Sequence, residues 1–168
     1  MNKTIVEKVF EFSKGLLAYS PEAVKEMLAI ENTLVNNLAM PLHFEQWILP
    51  HLIPNTVFQQ YWNLEATPFK TSGKLVLDPL AISFYQFISE HQDLLPIRLF
   101  ERTVIHRHES KPSVQKGILF EFRRIELFYV DTPQEVMRLK EQILKSFLQL
   151  LQEWKLPHKV VVLKDEKG

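Results

Sequence analysis

From Val6 to Leu17, the apolar residues Val6, Val9, Phe10, Phe12, Leu16 and Leu17 recur at roughly helical spacing. Lys8, Glu11 and Lys14 fall between them, and the pattern predicts a first amphipathic helix weakened at its end by Gly15. A second helix is predicted to open at Ser20-Pro21, a capping hydroxyl followed by proline at the first helical position. It runs to about Leu38 with Val24, Met27, Leu28, Leu34 and Leu38 as its apolar stripe. From Pro41 the pattern changes, because Pro41, Pro50, Pro54 and Pro68 break any long helix into short strands and loops. Leu75 to Leu77 reads as a brief strand, and Pro79 to about Ser89 as a helix carrying Phe84, Tyr85, Phe87 and Ile88.

The next pattern is a long antiparallel hairpin: Leu99 to Glu109 and Ile118 to Val130 flank a polar loop containing Pro112 and Gly117. Thr132-Pro133-Gln134-Glu135 then has the hydroxyl and carboxylate of a capping box and predicts a helix to about Trp154. Leu156-Pro157 ends it, and the segment from His158 to Lys164, with the run Val160-Val161-Val162-Leu163, reads as a buried strand. The whole predicts an α+β fold, mainly an antiparallel sheet flanked by helices. At 168 residues the chain is expected to form a single domain, 1–168, with N-terminal helices over 1–39 and a core over 40–164.

Composition narrows the chemistry. Twenty Lys and Arg balance 20 Asp and Glu, so no global field favours nucleic acid or an anionic membrane. Zero cysteines exclude a disulfide framework, a thiolate metal site and a cysteine nucleophile. Only 4 glycines are present, and neither a dinucleotide-binding nor a Walker pattern occurs. The charged N-terminal stretch is unlike a signal peptide or a membrane span, so the expectation is a cytoplasmic protein with no membrane partner.

Alternation along the hairpin organises its candidate site. Arg107 and Glu109 share one strand face and His106 and His108 the other, while Phe122, Arg124 and Glu126 share a face of the return strand. If the two faces coincide, these residues make an aromatic and charged platform able to stack a base, hold a phosphate and fix orientation. Alternation alone favours the plainer reading, a set of charges that face water and pair across strands. His106 and His108 have a spacing that can ligate zinc, but no third ligand lies nearby in sequence, and no metal site is assigned.

Four phrases bear on that choice. His106-Arg107-His108-Glu109 matches the Arg-x-Glu that opens motif 2 of class II aminoacyl-tRNA synthetases, and Glu121-Phe122-Arg123-Arg124-Ile125-Glu126-Leu127-Phe128 resembles its closing strand. Phe44 to Ile53 looks like motif 1, with Pro50 as its proline. Leu77-Asp78-Pro79, Phe84-Tyr85-Gln86 and Leu95-Pro96-Ile97-Arg98-Leu99-Phe100 are similar to the stretch before motif 2. The texture most resembles methanogen-type seryl-tRNA synthetases and the related amino acid:[carrier protein] ligases, over about residues 40 to 164.

The resemblance implies a class II core with ATP and Mg as its cofactors. It implies that Arg107 is catalytic, binding the α-phosphate and substrate carboxylate, that Glu109 contacts adenine and that Phe122 stacks on it, with Arg124 and Glu126 at the edge of the same nucleotide site. It further implies a homodimer through Trp47, Ile48, Pro50 and Leu52. The departures are equally specific. Nothing after Val162 resembles motif 3, so the core is expected to be incomplete, and Leu80, Ala81, Ile82 and Ser83 stand where zinc-dependent relatives place metal ligands, so no zinc is expected. The loop keeps Lys111 and Lys116 but lacks the usual arginine. The expectation is a non-catalytic or partner-dependent paralogue that binds ATP or an adenylate, with a partner subunit or carrier protein as candidate partners. The alternative is an active ligase that activates an amino acid with ATP for transfer to tRNA or a carrier protein, and the neutral charge mildly disfavours tRNA.

Overall fold

The computed structural model describes residues 9–13, 15–61, 74–78, 82–106 and 111–161. Its first element corrects the sequence expectation. Instead of a helix, Val9–Ser13 (β1) and Leu16–Tyr19 (β2) form an antiparallel hairpin in which Val9 faces Tyr19 and Phe10 faces Ala18. Gly15 turns the chain at φ +77°, and its carbonyl accepts the Phe120 N–H at 2.9 Å, so the tip is tied to a segment a hundred residues away. β-Branched and aromatic residues with a glycine near the middle satisfy strand chemistry as well as a helical period, and here the distant partner decides.

Helix α1, Pro21–Leu34, starts as expected, with the Ser20 hydroxyl accepting the Ala23 N–H at 3.2 Å. It then widens into a π-helical turn over Val35–Ala39, which buries both end residues, and a 3-10 turn at Met40–Leu42. After β3 (Glu45–Gln46) and β4 (Leu52–Pro54) comes α2, Asn55–Tyr61, and β5, Leu75–Leu77, pairs antiparallel with β4. Helix α3 spans Ile82–Glu90, and the predicted start of this helix at residues 79–81 lies outside the described residues.

The main sheet has the order β3-β6-β7, where β6 is Ile97–His106 and β7 is Glu121–Val130. β3 runs parallel to β6, and β6 and β7 pair antiparallel without a break from Ile97 opposite Val130 to His106 opposite Glu121. Each face of this hairpin has its own core. On one face Leu99, Ile97 and Phe128 pack with Leu49 and Phe84, and Phe84 stacks on Phe128 with ring centroids 4.4 Å apart, a contact worth about 1 kcal/mol beyond its burial. On the other, Phe100 packs with Val35, Ala39, Phe44 and Leu139 of the helical layer. A third cluster, Ile53, Phe58, Val76 and Ile82, joins β4 and β5 to α2 and α3.

Helix α4, Pro133–Glu153, is capped as predicted: the Thr132 hydroxyl accepts the Glu135 N–H at 3.4 Å. It stops sharply, with Lys155 in the left-handed region at φ +54° and Leu156 N–H bonded to the Leu151 carbonyl. The strand expected from His158 is not formed over residues 158–161, which have no regular structure, and residues 162–164 lie outside the described set. No helix among the described residues is long and apolar enough to cross a membrane. Helices with antiparallel and mixed sheets make the architecture α+β.

Candidate functional site

The antiparallel register decides which side chains meet. Ile105 lies opposite Phe122, Thr103 opposite Arg124 and Glu101 opposite Glu126, and directly opposed residues project from the same face. Phe122, Arg124 and Glu126 therefore share a face with Glu101 and Thr103, while Arg123 and Ile125 look to the helical layer. Arg107 and Glu109 lie outside the described residues. His106 pairs with Glu121 at 3.0 Å, and among the described residues no group of three His, Cys, Asp or Glu is placed to hold a metal ion.

Three carboxylates converge beside the shared face, two of them almost completely buried. Glu101, 3% exposed, accepts the Leu49 N–H at 2.8 Å, and its Oε1 is 3.6 Å from His51 Nε2. His51 in turn meets the Thr103 hydroxyl, 2.9 Å from Nε2. Asp78, 4% exposed, caps α3 by accepting the N–H groups of Ile82 at 3.0 Å and Ser83 at 2.8 Å, and its own N–H donates to the His51 carbonyl at 2.8 Å. Glu126 forms an ion pair with Arg124. Its carboxyl is nevertheless held above the usual range: burial is the largest cause, Asp78 and Glu101 push the same way, and only Arg124 opposes them. The Arg124 Nε is buried and has no hydrogen-bond partner among the described residues.

Among the described residues, Arg124 pairs with Glu126 and His51 approaches Glu101, and Arg124 and the Phe122 ring stand on the same face. Sequence reasoning missed Glu101, His51 and Asp78 as members of the cluster. They come from three separate segments, and only an acidic residue at an inward strand position, Glu101 between Leu99 and Thr103, gave a local signal.

The residues expected at a dimer surface divide. Ile48 is 85% exposed and Leu52 48% exposed, whereas Trp47 is half-buried against Phe87 at a ring separation of 5.2 Å. Pro50 is exposed beside them. Lys111 and Lys116 are both described: Lys116 ends a 3-10 turn at Val114–Lys116, and both lysines are exposed.

No family model and no curated protein matches the sequence. Solved structures do match the fold. M. kandleri SerRS, solved with A. aeolicus tRNASec, superposes with a TM-score of 0.72 at 20% identity, covering 89% of this chain and 37% of that one. The RNA binding domain of threonyl-tRNA synthetase from Cryptosporidium parvum Iowa II gives 0.69 at 16% identity, covering 89% and 41%. Giardia lamblia prolyl-tRNA synthetase in complex with prolyl-adenylate gives 0.71 at 17% identity, covering 89% and 33%. The chain thus spans about two-fifths or less of the length of these chains. At these identities the likeness is one of fold, and that fold is the one found in class II aminoacyl-tRNA synthetases.

Proposed function

We propose that this chain is a synthetase-related binding protein, a non-catalytic or partner-dependent paralogue that holds ATP or an adenylate on the Phe122, Arg124 and Glu126 face of the β6–β7 hairpin. The observation that carries this reading is the juxtaposition of an aromatic ring, a guanidinium with a buried uncommitted N–H, and a carboxylate on one strand face. An adenylate needs those three functions: a flat apolar surface for the base, a cation for the phosphate and a fixed anion for orientation. Arg107 and Glu109, which follow β6 in sequence, are proposed to complete the site, Arg107 on the α-phosphate. ATP would arrive with Mg, the ion that usually accompanies its phosphates; the proposed base and phosphate contacts are made by Phe122 and Arg124. The prolyl-adenylate held by the Giardia protein and the tRNA complex of the M. kandleri protein support the substrate class.

A second reading is favoured by the acidic cluster. Asp78, Glu101 and Glu126 would receive the ammonium of an amino acid, as an ATP-dependent ligase that passes the acid to tRNA or a carrier protein requires. In that reaction Arg107 would bring the carboxylate and the α-phosphate, two anions, together. The chain is proposed to be a cytoplasmic single domain that dimerises through the exposed Ile48 and Leu52 with Trp47 and Pro50.

Calorimetric titration with ATP and with non-hydrolysable adenylates tests the first reading. Micromolar adenylate binding, weakened about tenfold or more in Phe122→Ala and Arg124→Ala, is expected, the loss being about that of one charge-assisted hydrogen bond. Absence of binding by every nucleotide would reject both readings. Amino-acid-dependent ATP–pyrophosphate exchange, lost in Arg107→Ala, would select the ligase.

A further inference from the structure

β7 is an edge strand: among the described residues it has a ladder partner, β6, on one side only. Its outer side is a groove. A cavity of about 450 Å³ lies between this edge, α1 and the N-terminal hairpin, floored by Arg123, Arg124 and Ile125, walled by Ala23, Met27, Ile30 and Leu34, and lined also by Val9 and Tyr19. Those four α1 residues stand at i, i+4, i+7 and i+11, one continuous helix face. A helix that packs fully on a sheet buries such a face against strands, yet Ile30 stays 46% exposed, so the helix face reaches past the last strand over open space. A strand added to β7 on this side would be covered by α1.

The same chain carries a strand without a sheet. Val160 and Val161 are β-branched, 51% and 62% exposed, and residues 158–161 make no backbone-to-backbone hydrogen bond among the described residues. Lys155, in the left-handed region, ends α4 just ahead of this segment. Its alternation also fits the groove. With Val160 beneath the apolar face of α1, Lys159 would project on the opposite face, the one that holds the carboxylates Glu101 and Glu126.

We infer that the β7 edge is a strand-acceptor site whose occupant is the segment His158-Lys159-Val160-Val161 of a second copy of this chain. Main-chain hydrogen bonds to the edge supply affinity, and the alternation of Lys159 and Val160 supplies register. The inference deepens the partner-dependent reading given above, because the added strand would lie beside Phe122 and Arg124 and wall that face. It differs from dimerisation through Ile48 and Leu52, which belong to another part of the surface.

The chain has no cysteine, so single cysteines report contacts cleanly. Proteins carrying His158→Cys, which alternation puts on the same α1-side face as Val160, are mixed with differently tagged proteins carrying Ile125→Cys, or Glu121→Cys as a second acceptor position on that face, and oxidised. The expected result is a disulfide between the two different variants at least fivefold more abundant than either same-variant dimer, and lost when Val160→Asp is added to the donor. Circular dichroism of each variant checks that the fold is kept. Mixed and same-variant dimers in statistical proportion at both acceptor positions overturn the inference. A wild-type chain that stays monomeric in light scattering up to millimolar concentration does so as well, and would leave the edge to a strand of some other protein. Adenylate titration of the Val160→Asp variant separates the two proposals: binding retained with cross-linking lost supports strand exchange on its own, and cross-linking retained with no nucleotide binding in the wild type rejects only the nucleotide reading.

Discussion

Glu101 and Glu126 stand directly opposite one another on β6 and β7, two carboxylates in register on one face of an antiparallel pair. Like charges so placed repel by up to about 1 kcal/mol. Here the repulsion adds to burial in holding the Glu126 carboxyl above its ordinary range. A carboxyl raised in the folded state contributes stability that is full below its unfolded pKa and disappears as pH rises through the folded value. Glu126→Gln is therefore expected to raise the thermal midpoint at pH 7 by about 1–3 °C, an advantage that vanishes below pH 4. Differential scanning calorimetry from pH 3 to 8 checks it, and a variant less stable at pH 7 than the wild type would show that the Arg124 pair outweighs the repulsion.

Arg123 makes a two-pronged contact with Glu31, 2.5 Å from Nε and 2.9 Å from the second nitrogen, and fastens β7 to α1. Glu31 is only 6% exposed, so Arg123→Ala strands a buried charge and should cost about 2–3 kcal/mol in urea unfolding. Replacing both with leucine should recover most of that loss, since the desolvation penalty goes with the pair. If the double replacement is no better than the single one, the pair is net stabilising.

Two glycines with positive φ separate backbone strain from steric contact. A Cβ on Gly15 would stand 2.5 Å from the Pro112 Cβ and 3.0 Å from the Phe120 ring, whereas one on Gly117 meets nothing within 4 Å. Gly117→Ala should cost about 1 kcal/mol from its left-handed backbone alone. Gly15→Ala should cost more, and should detach the N-terminal hairpin from the loop. Amide exchange at Phe120, protected by the Gly15 carbonyl in the wild type, should accelerate in the second variant and stay slow in the first.

Glu135, at the first turn of α4, is held down to about 2 by its hydrogen bond to Arg138, with Arg98 2.8 Å away adding to the effect. A depressed carboxyl contributes stability present above its unfolded pKa and lost as pH falls toward the folded value. The Glu135→Gln variant should match the wild type below pH 2 and fall behind between pH 2 and 5, a difference that equilibrium denaturation reads directly. A carbon-detected titration of the side chain should place its midpoint near 2.

Much of this was written locally. The caps at Ser20 and Thr132, the Leu75–Leu77 strand and the central hairpin depend on neighbours within a few positions, and the alternation that sorted Phe122, Arg124 and Glu126 onto one face agrees with the observed register. What escaped was set from afar. Val9 to Leu17 fits two periods, and the choice rests on Phe120 reaching Gly15. The acidic cluster depends on His51, Asp78 and Glu101 meeting across some fifty residues, with no shared motif to announce them. The valine run has strand chemistry but no ladder partner in its described part, because propensity does not supply a partner.

Leu99 and Phe100 are adjacent in sequence, 0% and 2% exposed, and belong to cores on opposite sides of one strand. A deletion or insertion of a single residue ahead of them would exchange the two sides, sending the leucine toward α4 and the phenylalanine toward α3 while Glu101 turned into the helical layer. Length in β6 is thus under far tighter constraint than residue identity. Homologous chains should tolerate apolar replacements at these positions and admit changes of length only in the connections on either side.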